Sequence, residues 1–142
     1  MSQTRLHRRT VLAGIAVMAT AGMGARPARP VAWIGCPDTA PEGLCDALVQ
    51  AVAATGPAFV PRTAPARPAA GDVAITLVLD QVGAAGLTAR LDWQGPAAAA
   101  IRQGPPMGLS VSDTGLRPAI LARYAQALVA ATPGLAAALA AQ

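Results

Sequence analysis

The chain of 142 residues carries two cysteines, Cys36 and Cys45, within the stretch CPDTAPEGLC. Two thiols this close can form a redox pair, serve a metal site, carry a lipid or close a structural disulfide. Each of these needs more than the thiols. A redox pair favours C-x-x-C spacing, and here eight residues intervene. A structural zinc site wants four ligands, and the one histidine, His7, lies near the N-terminus. A lipidated cysteine requires a lipobox at the end of an apolar run. Ile34-Gly35-Cys36 has its outline, but Trp33 holds the leucine position, and Arg26, Pro27, Arg29 and Pro30 separate it from the run. The structural disulfide is the favoured reading, because closing a loop of about 10 residues stabilises by about 2.5–3 kcal/mol through lost unfolded-state entropy.

The other reactive groups are few. Beyond His7 there is no histidine, and lysine is absent throughout. A Ser-His-Asp or Cys-His arrangement therefore cannot be built, nor can a lysine Schiff base. No G-x-G-x-x-G phosphate loop occurs. Seven carboxylates remain: Asp38, Glu42, Asp46, Asp72, Asp80, Asp92 and Asp113. Asp38, Glu42 and Asp113 adjoin helix starts, where capping is the ordinary role. Trp33, Trp93 and Tyr124 fall on apolar stripes and are expected in the core. The sequence thus assigns no catalytic residue, no metal ligand and no cofactor site.

The compartment is read from MSQTRLHRRTVLAGIAVMATAGMGARPARP. A basic start with Arg5, Arg8 and Arg9 precedes the apolar run 11–21 and the small-residue site Ala19-Thr20-Ala21, the layout of an export signal. The run is shorter than the roughly 20 apolar residues that span a bilayer. HRRTVL, with Arg8 and Arg9 adjacent, resembles the twin-arginine export motif. It has His7 where that motif has Ser or Thr, and Val11 where it has Phe; general secretory export is the alternative. The resemblance implies passage through an export translocase and a signal peptidase. Cleavage would fall after Ala21 or Ala25, so that 1–25 is the signal. The net charge of +4 then drops to +1 from Gly22 onward, eight arginines against seven carboxylates. Such a balance argues against nucleic-acid binding. The expected location is the periplasm, with no stable membrane insertion after cleavage; a signal-anchored or lipidated envelope protein is the alternative. That compartment is oxidising, which favours the disulfide.

Beyond the N-terminal segment, VAWIG (31–35) reads as a short buried strand. Residues 41–55 read as a helix capped by Asp38 or Thr39, with Leu44, Leu48 and Val52 buried and Gly56 ending it. Four prolines in 57–71 mark a loop after a candidate edge strand, Ala58-Phe59-Val60. In 72–94, Val73, Ile75, Leu77 and Leu79 alternate, as do Leu87, Ala89, Leu91 and Trp93. A hairpin with a three-residue loop, Ala84-Ala85-Gly86, puts both sets on one face, with Gly86 left-handed. Its register sets Asp80 opposite Arg90 as a cross-strand ion pair. A two-residue loop would turn Arg90 and Asp92 inward. Residues 95–106 read as a loop with a short strand near Ile101, and 107–113 as a strand with Leu109 and Val111 inward. A helix over 116–132 carries Leu116, Ile120, Tyr124 and Leu128, widened by Leu121 and Ala131. Residues 133–142 read as a flexible or helical tail.

The expected fold is α+β: one domain over 30–132, a mainly antiparallel sheet with two helices on one face, one of them stapled by the disulfide. In outline it resembles the small sheet-plus-two-helix accessory domains of cell envelopes. The layout fixes no function; the missing histidine and lysine favour a non-catalytic protein that binds or scaffolds an envelope partner through the outer sheet face or an edge strand. A thiol- or carboxylate-dependent enzyme is the alternative. The lack of lysine beside abundant alanine and arginine points to GC-rich coding rather than to function.

Overall fold

The computed structural model describes residues 29–63, 69–96, 100–112 and 115–141. The elements run β1 (Val31–Gly35), α1 (Leu44–Thr55), β2 (Val60–Arg62), β3 (Val73–Gly83), β4 (Gly86–Gln94), β5 (Arg102–Gln103), β6 (Met107–Ser110), α2 (Pro118–Ala131) and α3 (Leu135–Ala140). The fold is α+β, with all six strands in one sheet ordered β2-β1-β3-β4-β5, and β6 also pairing with β4. Pairs β3–β4, β4–β5 and β4–β6 are antiparallel. Pairs β1–β2 and β1–β3 are parallel, which the side-chain pattern did not announce.

Period-two alternation sorts the sheet into two faces. Ala32, Ile34, Val73, Ile75, Leu77, Leu87, Ala89, Leu91 and Trp93 are buried inward. The helices cover that face. Helix α1 presents Leu44, Leu48, Ala51 and Val52, and α2 presents Leu121, Tyr124, Ala125, Leu128 and Val129. The stripe of α2 is turned from the expected one: Leu116 and Ile120 are half-buried and Ala131 is exposed. The cause is that α2 packs against α1 as well as the sheet, so its buried face shifts toward Leu121 and Ala125. Beyond Pro133-Gly134 the chain is helical. Leu135 and Leu139 are fully buried, so α3 completes the core rather than trailing from it.

The helix start differs from the expected one. A turn closes first, Ala40 N–H donating to Pro37 O at 3.0 Å, so Asp38 and Thr39 cap nothing. The N-cap of α1 is Gly43, at φ +84° and without a side-chain cap, a conformation glycine adopts at little cost. Trp33 also departs from expectation: its neighbours in β1, Ala32 and Ile34, point into the core, and Trp33 lies half-buried on the outer face.

The hairpin register is the main correction. Gly83 pairs with Gly86 around a two-residue loop, Ala84-Ala85, not with Leu87 around three residues. Gly86 is not left-handed; it is glycine because a Cβ there would meet Leu109 O at 2.3 Å. Further along, Leu79 faces Ala89 and Val78 faces Arg90. Between Leu79 and Gln81 the register shifts by one, with Asp80 as the extra residue. A two-residue loop alone would turn Arg90 and Asp92 inward. One bulged residue restores the parity, keeping the leucines in and the charges out.

Deleting Asp80 should therefore keep every apolar residue on its face and cost about 1 kcal/mol, the worth of a half-exposed ion pair. Deleting Val78 should turn Asp80 toward the core and cost several times more. Denaturant midpoints of the two variants test this, and equal losses would contradict the bulge.

Candidate functional site

Among the described residues, the groups with chemical potential fall into three clusters. The first is Cys36–Cys45, a disulfide with Cα atoms 6.1 Å apart. It ties the end of β1 to the first turn of α1. Both cysteines are half-buried and pack against the core. Because α1 has no side-chain cap, the covalent link holds the helix start where capping does not. Both thiols are consumed by it, and among the described residues no free cysteine remains.

The second cluster surrounds Asp72, just before β3 and only 8% exposed. Its Oδ1 accepts from Val31 N–H at 2.9 Å, and its Oδ2 from Trp33 Nε1 at 3.0 Å and Ala69 N–H at 2.9 Å. One carboxylate thus binds the start of β1, the outer-face tryptophan and the loop entering β3. Burial pushes the Asp72 pKa up, but the three donors outweigh it and hold the carboxyl below its ordinary value. Sequence reasoning gave Asp72 no particular role. The available signal was an acid between a proline-rich loop and an apolar strand, with an indole two residues into a neighbouring strand.

The third cluster lies on the outer face. Arg90 Nη1 meets Asp80 Oδ1 at 2.8 Å, and Arg90 Nε meets Asp92 Oδ1 at 3.1 Å. Asp80 reaches Arg90 diagonally from the bulge, since Val78 is the residue directly opposite. Thr76, Thr88 and Gln94 continue this polar face. Asp38, Glu42 and Asp46 are exposed elsewhere. Arg8, Arg9 and Asp113 lie outside the described residues. Among the described residues no group of three or more His, Cys, Asp or Glu is placed to hold a metal ion, and no helix is long and apolar enough to cross a membrane.

An open groove of about 600 Å³ lies at the hairpin tip, lined by Gln81, Val82, Gly86, Thr88, Leu109 and Ser110 among others. It contains no acid, base or thiol, so it offers shape and backbone rather than proton transfer. Comparison with protein families, with curated proteins and with solved structures finds no match.

Asp72→Asn leaves an amide facing at least one of the three donors and should cost about 2–3 kcal/mol near neutrality. The native pKa is lowered from an unfolded value of about 3.9. The stabilisation is therefore present above about pH 4 and lost as pH falls through the native value. The gap between wild type and Asp72→Asn should shrink between pH 7 and pH 2.5 in urea denaturation. A gap that stays constant would contradict the role assigned to the charge.

Proposed function

We propose that this is an exported periplasmic accessory domain that binds a protein partner and performs no catalysis. The observation that carries the reading is how the reactive groups are used. Cys36 and Cys45 are joined to each other, Asp72 is saturated by three donors, and Arg90 is shared by Asp80 and Asp92. Each is engaged in holding strands or a helix start. The disulfide is consistent with an oxidising compartment, and the N-terminal resemblance to a twin-arginine signal gives the route. The surface left for recognition is the outer sheet face. There Thr76, Thr88, Arg90, Asp92 and Gln94 form a mixed polar patch on a rigid frame, with Trp33 at its flank, the kind of composition that suits a protein contact.

The protein purified without reductant from the periplasm of its own host should begin at Gly22 or Arg26 and carry the oxidised pair. Native mass spectrometry should find it with a companion polypeptide, released by the double change Thr76→Arg, Arg90→Glu. Cys36→Ser with Cys45→Ser should lower stability by about 2.5–3 kcal/mol and leave the companion bound. A bound small ligand or metal in place of a companion chain would overturn the proposal. So would a thiol-dependent activity lost in the cysteine variant at unchanged stability.

A further inference from the structure

The two edges of the sheet are not alike. On β2, Val60 N–H donates to Pro30 O at 2.8 Å. Val60 and Arg62 therefore turn their backbone toward β1, and Pro61 faces outward. Proline has no N–H to offer, so this edge is closed to a further strand. The opposite edge is formed by β5 and β6, interrupted by Gly104-Pro105-Pro106. Here Val111 N–H donates to Ala85 O at 2.8 Å, while Leu109 pairs with Leu87 and Met107 with Ala89. Residues 107, 109 and 111 thus direct their backbone groups to β4. By alternation, Gly108 and Ser110 direct theirs away from the sheet. Both are exposed and small, so nothing on their side chains obstructs approach. From the inner side, Tyr124 holds the strand through a 2.6 Å bond to Met107 O.

The side chains of this edge follow the same alternation. Met107, Leu109 and Val111 lie on the inner face, each half-exposed, while Gly108 and Ser110 lie on the outer face. We propose that β6 is a dimerisation strand, pairing antiparallel with β6 of a second copy about a two-fold axis through Leu109. In that register Gly108 and Ser110 of opposite copies exchange both backbone hydrogen bonds. Leu109 meets Leu109, and Met107 meets Val111, so every inner-face pair is apolar. The strand is complementary to itself, which an isologous contact requires. The prolines at 105 and 106 end the ladder on each side and exclude registers displaced toward β5. The axis stands perpendicular to the sheet. Both outer faces therefore lie on one side of a continuous twelve-stranded sheet, free for other contacts.

A ladder of five residues per copy is a small interface, below the roughly 1,200 Å² of a tight complex. The oxidised protein should be mainly monomeric at about 1 µM and mainly dimeric at about 100 µM in sedimentation velocity. Gly108→Pro, which removes an outward N–H, should weaken dimerisation at least about tenfold. Leu109→Glu, which sets like charges face to face, should abolish it, and far-UV circular dichroism of both variants checks that the fold is kept. Residues opposed at a non-hydrogen-bonded position have Cα atoms about 4.5 Å apart, within disulfide reach. Leu109→Cys should therefore cross-link two copies under mild oxidation, and Ser110→Cys should not. A monomer at every concentration up to about 1 mM would overturn the proposal. Cross-linking through Ser110→Cys in preference to Leu109→Cys would overturn the register.

Discussion

The sheet can bury only one face, and the hairpin that forms its centre must honour that over two long strands joined by two residues. Side chains alternate, so a slip of one position exchanges every leucine of a strand for the charged or polar residue beside it. The tight Gly83–Gly86 turn imposes the wrong parity on the body of the hairpin. The extra residue at Asp80 corrects it. From there the rest follows: Leu77 faces Leu91, Ile75 faces Trp93, and a continuous apolar floor is presented to the helices. Arg90 stays on the wet side, where the bulge brings Asp80 within 2.8 Å of it.

On the other side of β3 the problem is different. Strand β1 joins β3 in parallel, with α1, β2 and a proline-rich stretch of sequence between them in the chain. Parallel neighbours cannot be joined by a tight turn, so the junction needs its own fasteners. The disulfide fixes the exit of β1 to α1, and Asp72 fixes the entrance of β1 to the entrance of β3. The polar residues that most resemble active-site material are thus the ones that order the parallel half. The outer face carries the Arg90 ion pairs on exposed or half-buried side chains, and that face and the β6 edge are the surfaces proposed for recognition and self-association.

Much of this was legible because periodicity reports which way a side chain points. The inward sets of β3 and β4, the Leu44-Leu48-Val52 stripe and the Gly56 stop were readable for that reason. Periodicity does not report which strand lies beside which, so the parallel pairing of β1 with β2 and β3 was invisible. A bulge is equally hidden: opposed residue numbers must sum to an even number, and a three-residue turn supplies the one extra residue on paper as well as Asp80 supplies it in the structure. Asp72 escaped notice because its three donors come from positions far apart in the chain except for Ala69. Trp33 misled because β1 is only five residues long, too short to tell a strand buried on both faces from one buried on a single face. The short run LAAALA gave no strong stripe, yet Leu135 and Leu139 seal the core.

The most direct test of this account is a nuclear Overhauser spectrum of the hairpin. Leu91 O accepts from Gly104 N–H at 2.8 Å, so Leu91 turns its backbone away from β3, and the odd-numbered pairs are the close, non-hydrogen-bonded ones. Strong Hα–Hα contacts are predicted for Ile75 with Trp93 and for Leu77 with Leu91. Contacts of Leu77 with Trp93 and of Leu79 with Leu91 would instead mean a three-residue turn with no bulge, and the account of how this sheet keeps its faces apart would be wrong.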